Sequence, residues 1–189
     1  EIAGVDVELG RLAGLEQRRL RRQRQLQPLG HVILDEEVGL AAPLALRPMT
    51  AADLEAATEL SREQQWPHRD EDWELFLSLG EGLVAEAGGK LVGTIMAWRF
   101  GETMATIGMV IVSSAAQGQG IGRKLMEAMI DQLGDRTIVL NATEEGLPLY
   151  LKLGFVETGH IYQHQGPAPD VPLTELQPGE RVRPKGKAD

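Results

Sequence analysis

From residue 121 to residue 133 apolar side chains return every three or four positions, at Ile121, Leu125, Met126, Met129, Ile130 and Leu133. That spacing lines one face of an α-helix, and Gly134 supplies its stop. Upstream, "TAADLEAATELSREQQ" (residues 50–65) places Leu54, Ala57 and Leu60 on one face, with Thr50 as N-cap. "RDEDWELFLSLG" (residues 69–80) reads as a second helix closed by Gly80. The other apolar runs are shorter and strand-like. "LALRPM" (residues 44–49) is one; "GLVAEA" (82–87), a Gly88-Gly89 turn and "KLVGTIMAW" (90–98) form a hairpin. Gly101 and Glu102 turn the chain again into "TMATIGMVIV" (103–112), which completes a three-strand antiparallel meander. Met109 to Val112 are continuously apolar, so this strand is expected to be buried on both faces. "RTIVLNA" (136–142) is a further strand, "EEGLPLYLKLG" (144–154) a short helix with Pro148 in its first turn, and "FVETGHIYQHQ" (155–165) a last strand.

Together these predict an α/β domain over residues 43–166, its central sheet mostly antiparallel and flanked by helices. Residues 1–42 read as an extension. "QRRLRRQRQLQ" (17–27) predicts a basic helix from about Glu8 to Gln27, ended by Pro28 and Gly30. Its arginines have no interleaved aromatics, so a solvated segment is expected rather than a nucleic-acid arm. Residues 167–189 begin as a proline-rich linker. There "VRPKGKAD" (182–189) echoes "LRPMTAAD" (46–53), as if a second, similar domain began and was cut off. The chain starts at Glu1 rather than Met, so the true N-terminus reads as missing or processed.

Composition narrows the chemistry. A net charge of −9 argues against nucleic acid as the main partner and favours cations, amines included. The absence of cysteine removes disulfides, thiolate metal sites and a cysteine nucleophile, and fits a cytoplasmic location. No apolar run reaches the ~20 residues that cross a bilayer, so no membrane partner is expected.

"SAAQGQGIGRKLMEAM" (114–129) places Gly118, Gly120 and Gly122 where the strongest helix begins. Glycine is costly inside helices, so the spacing asks for a reason. A P-loop spacing is absent, and the third position of a dinucleotide fingerprint is Arg123 instead of glycine. What remains is strand, glycine loop and helix N-terminus. Unpaired backbone N–H groups and the helix dipole there attract an anion, and glycines let it approach. The expected ligand is a phosphate or pyrophosphate, with Arg123 and Lys124 adding positive charge.

Gln117-x-x-Gly120-x-Gly122 resembles the acyl-CoA-binding motif [RQ]-x-x-G-x-[GA] of the GNAT superfamily of N-acetyltransferases. "GLPLYLKLGF" is similar to that family's later helix, A-x-x-L-Y-x-x-x-G-F, and the order of elements from about Ala45 to Gln165 matches its fold. Ser114 stands where the family often has proline. The ending "ETGHIYQHQG" resembles a bacterial subgroup with tandem acetyltransferase domains.

The resemblance implies acetyl-CoA as acetyl donor, direct transfer to a primary amine of a small molecule or peptide, and no metal. It implies that Gln117, Gly118, Gln119, Gly120, Ile121, Gly122 and Arg123 hold the pyrophosphate. Val110, Ile111 and Val112 would pair with the pantetheine arm, the Val110 N–H meeting the thioester oxygen, and Tyr150 would be the general acid. Asn141 would bond the pantetheine amide, position Tyr150, or cap the next turn. The general base stays open: the fourth strand carries no carboxylate, which leaves Glu102, Glu144, Glu145 or water. Trp66, His68, Trp73 and Trp98 are read either as the acceptor wall or as core. His160 and His164 are four apart on a strand, roughly 13 Å, too far to share an ion. The competing reading is a non-catalytic acyl-CoA-binding module. Exposed strands leave pairing into a homodimer open.

Overall fold

The computed structural model describes residues 2–11, 33–35, 43–164, 178 and 181. The strands are β1 (Ile2–Arg11), β2 (Ile33–Asp35), β3 (Leu44–Pro48), β4 (Glu81–Ala87), β5 (Lys90–Phe100), β6 (Met104–Val112), β7 (Thr137–Ala142) and β8 (Val156–His164). The helices are α1 (Leu54–Glu63), α2 (Asp70–Leu79), α3 (Ile121–Leu133) and α4 (Leu147–Lys152), with short 3-10 turns at Ala51–Asp53 and Ser114–Ala116. One eight-stranded sheet runs in the order β2-β3-β4-β5-β6-β7-β1-β8. Among its described pairings only β6–β7 is parallel.

The helical stripe read along residues 121–133 is the face that α3 buries: Ile121, Leu125, Met126, Met129, Ile130 and Leu133 are all in the core. They pack on one face of the sheet against Leu83, Ala85, Ile95, Ala97, Ala105 and Ile107. The other face meets α1 and α2 through a second cluster of Met49, Ala57, Leu60, Trp73, Val84, Met96, Met109 and Ile111. β4 and β5 sit between these layers, so both their faces are apolar. The Gly88-Gly89 turn has φ of +58° and +75°, the geometry a tight hairpin needs.

β6 departs from expectation. Met109 to Val112 are not covered on both faces: Met109 and Ile111 are buried, but Val110 and Val112 are half-buried. The cause is a bulge. Registers Thr94–Ile111 and Met96–Gly108 leave Met109 and Val110 opposite Ile95 alone, and Met109 has φ +52°. One extra residue switches which face each later side chain takes. Ala105 and Ile107 therefore join the α3 core, while Met109 and Ile111 join the α1–α2 core. The buried Thr94 hydroxyl donates to the Met109 carbonyl at 2.9 Å and holds the kink.

Two further expectations change. Glu8 to Arg11 do not open a helix; they end β1, which fills the slot between β7 and β8 through pairs such as Leu9–Leu140 and Val7–His160. Val5, Val7 and Leu9 alternate along the chain, and Leu9 is fully buried. The remainder of the expected basic helix, and most of residues 167–189, lie outside the described residues. Gly80 follows α2 without a left-handed turn, at φ −139°. Glycine is required there by contact, since a Cβ would lie 2.4 Å from the Ala97 carbonyl oxygen.

The entry into α1 is fixed by charge. Asp53 accepts two hydrogen bonds from the Arg47 guanidinium, at 2.7 and 2.9 Å, and further bonds from the Thr50 N–H and hydroxyl. Arg47, first among these, holds the Asp53 carboxyl below its ordinary value of 3.8. A carboxyl lowered on folding stabilises above the unfolded pKa and loses that contribution as pH falls through its folded value. Asp53→Asn should therefore cost about 2 kcal/mol at pH 7. The gap between the two proteins in urea melts should shrink as pH falls below about 4 and be smallest at the lowest pH of the series.

Candidate active site

β6 and β7 pair at Met104–Thr137, Ala105–Ile138 and Thr106–Val139, then part. A cavity of about 710 Å³ fills the wedge. Ile107 to Val112 form one wall, and Leu140, Asn141 and Thr143 the other. Gln64 and Trp66, just beyond α1, also reach it.

The glycine loop edges this cavity. Gln117, Gly118, Gly120, Ile121, Gly122 and Arg123 all line it. Gly118 and Gly120 both have φ +76°, a conformation L side chains rarely adopt, and a Cβ on either would meet nothing within 4 Å. That open space above a helix N-terminus suits a bulky anion. Gly120 caps α3, and the first bond within that helix runs from the Lys124 N–H to the Gly120 carbonyl at 3.1 Å. The N–H groups of Ile121, Gly122 and Arg123 precede it and have no partner within the helix. Gly122 is different: a Cβ there would make only ordinary contacts with Leu149 and Val112. The Gln117 amide donates to the Val112 carbonyl at 3.1 Å and closes the loop onto the end of β6. Arg123 reaches Glu127 at 3.0 Å along the helix. Gln119 does not line the cavity; its amide oxygen is buried.

Tyr150 enters the wall from α4 and is 7% exposed. Its ring packs edge-on to Phe155, centroids 6.1 Å apart. A Cβ at Gly146 would lie 3.0 Å from that ring, so glycine lets the phenol settle. Burial pushes the phenol up to about 12. Asn141 lines the cavity from β7, where its backbone pairs with Glu8 of β1.

Of the three carboxylates considered as base, only Glu145 lines the cavity. Glu102 is almost fully exposed beside the end of β6 that still pairs with β7, and lies 3.9 Å from Arg136. Glu144 is exposed outside the cavity lining. The tryptophans divide likewise. Trp66 lines the cavity, whereas Trp73 is fully buried and its indole donates to the Ser61 hydroxyl at 3.1 Å. Trp98 donates to the Phe76 carbonyl at 3.1 Å. His68 sits against Trp66 and Phe76, and burial lowers its pKa, which favours the neutral ring. His160 is an exposed residue 3.4 Å from Glu157. Among the described residues no group of three His, Cys, Asp or Glu could hold a metal. No helix of the described residues is long and apolar enough to cross a membrane.

Gln64 and Thr143 also line the cavity, and reading the sequence alone did not single them out. No motif marks them; the wedge brings them together, beside Leu149 of the "GLPLYLKLGF" segment.

The family model described as "Acetyltransferase (GNAT) domain" matches residues 78–157. The chain is 36% identical over 103 residues to "Uncharacterized N-acetyltransferase YitH" of Bacillus subtilis, covering 52% of this chain and 36% of that protein. It is 30% identical over 131 residues to "N-alpha-acetyltransferase RimI" of Mycobacterium tuberculosis, covering 62% of this chain and 81% of RimI. The crystal structure of a "predicted acetyltransferase with acetyl-CoA" from Clostridium acetobutylicum shares the fold, with a TM-score of 0.53, 18% identity, and coverage of 61% of this chain and 91% of that one. The chain belongs to the GNAT acetyltransferase family. It spans only about a third of the length of YitH.

Gly120→Glu forces a bulky anionic side chain into a left-handed position at the cavity edge. Coenzyme A binding by calorimetry should weaken by at least about a hundredfold, with the circular dichroism of the folded chain retained. Unchanged affinity would remove the pyrophosphate from this loop.

Proposed function

We propose that this chain is an acetyl-CoA-dependent N-acetyltransferase that acylates a primary amine directly. The observation that carries the reading is one wedge that combines a glycine loop at a helix N-terminus, a bulged strand and a buried phenol. Family membership supports it. Acetyl-CoA, when bound, supplies a thioester whose carbonyl carbon forms a new C–N bond as its C–S bond breaks.

In this reading the loop from Gln117 to Arg123 fixes the pyrophosphate through backbone N–H groups, with Ile121 and Gly122 presenting the first helical turn. Val110, Ile111 and Val112 lie along the pantetheine arm. The bulge takes Val110 out of the regular β5 ladder, so its N–H is the candidate donor to the thioester oxygen, where negative charge develops. Asn141 faces the same arm from β7.

Tyr150 is the proton donor to the departing sulfur. Its raised pKa keeps it protonated at neutral pH. The same desolvation would raise a thiol beside it, so burial does not abolish the donor's usefulness. Glu145, the one carboxylate among the cavity-lining residues, takes the proton that the amine loses, directly or through water. The acceptor is a small-molecule or peptide amine entering past Trp66. That the RimI relative is named an N-alpha-acetyltransferase favours an α-amine.

Release of free CoA thiol from acetyl-CoA, dependent on an added amine or peptide, tests the activity. Tyr150→Phe should lower kcat by about a hundredfold or more while acetyl-CoA affinity changes little. Equal turnover would remove Tyr150 from the acid role. Since burial pushes the phenol up to about 12, the unaltered chain should show no loss of activity from tyrosine ionisation between pH 7 and 10. An alkaline limb present in the unaltered chain and absent from Tyr150→Phe would contradict that assignment.

A further inference from the structure

The last turn of α1 grips the entry to the glycine loop from the opposite side of the sequence. The Glu63 carboxylate accepts from the Ser114 backbone N–H at 2.5 Å and from the Ser113 hydroxyl at 3.3 Å. Its neighbour Gln64 donates to the Ser114 hydroxyl at 3.2 Å. Ser114 is the first residue of the 3-10 turn Ser114–Ala116, after an extended Ser113 at φ −50° and ψ 136°. An N–H in that position has no acceptor within its own turn. Glu63 supplies one from 51 positions away, and its charge suits the positive end of the turn. The Ser114 N–H, followed by the two serine hydroxyls, holds the Glu63 carboxyl below its ordinary range. Gln117, the first loop residue lining the cavity, follows this turn directly.

We propose that Glu63 is a positioning residue that caps this turn from α1, so that the glycine loop holds its anion-binding shape before the ligand arrives. This rests on the reading of the loop as the pyrophosphate site. Glu63 is exposed and lies outside the cavity lining, so it acts through Ser114 rather than on ligand. Its removal should loosen the loop without unfolding the domain.

The test titrates the whole chain and three variants with coenzyme A by calorimetry and follows their thermal melting. Glu63→Ala should weaken binding about fivefold, with the melting midpoint unchanged. Glu63→Gln keeps a carbonyl acceptor for the Ser114 N–H and should bind within about twofold of the unaltered chain. Adding Ser114→Pro to Glu63→Ala should restore most of the lost affinity. Proline suits the first position of a helical turn, fixes φ without needing an acceptor, and asks for the extended residue that Ser113 already is. Equal affinity of Glu63→Ala and the unaltered chain would overturn the cap. So would a loss in Glu63→Ala that Ser114→Pro leaves unrepaired. Failure of the unaltered chain to bind coenzyme A would overturn the reading of the loop itself instead.

Discussion

β6 has to pair with β5 along its length and yet leave β7 after Thr106, and the kink at Met109 reconciles the two demands. A left-handed conformation at a non-glycine residue costs roughly 1–2 kcal/mol. It is offset by the Thr94 hydroxyl on the Met109 carbonyl and by burial of the Met109 side chain in the α1–α2 core. Without the extra residue, Val110 and Val112 would face α1 and α2, and the regular ladder would claim the Val110 backbone. The cavity, the strand that walls it and the change in side-chain face therefore share one cause.

The parallel pairing of β6 and β7 does the rest of the assembly. Parallel strands end at the same edge of a sheet, so the segments that follow them start side by side. β6 leads into the glycine loop and α3, and β7 leads through Thr143 to Gly146 into α4. The loop and Tyr150 thus reach one cavity although about 30 residues separate them in sequence. An antiparallel pair would have sent them to opposite ends. The sheet is antiparallel in its other described pairings, and its one parallel junction is where the site forms.

What the sequence disclosed follows from how local each cause is. The α3 stripe and the Gly88-Gly89 hairpin are local patterns, and both appear where the spacing puts them. Gly118 and Gly120 were legible because a left-handed position above open space favours glycine. The bulge was not legible. Met109 to Val112 are all apolar, so neither parity stands out, and its cause is a threonine on another strand. β1 was missed for a similar reason: the alternation of Val5, Val7 and Leu9 runs into an arginine-rich stretch, and its partners lie more than a hundred residues away. Trp73 and Trp98 could not be separated from Trp66 by type. Their indoles find acceptors at Ser61 and Phe76, and only tertiary packing decides that.

The charge pattern of the cavity bears on the missing strand-borne base. Of the residues lining it, only Arg123 and Glu145 are ionisable with a charge at neutral pH. Arg123 belongs to the first turn of α3, and Glu145 precedes the helix that carries Tyr150. The rest of the wall is backbone, apolar side chains and uncharged polar groups such as Asn141, Thr143 and Tyr150. A carboxylate on β6 would stand between Ile107 and Val112, beside the strand segment proposed to carry the donor's arm. Placing the carboxylate just before α4 puts it on the segment that leads to Tyr150 and off the glycine loop's strand. In the proposed reading, a cleft arranged this way meets an anionic donor with oriented backbone and an amine with one carboxylate side chain.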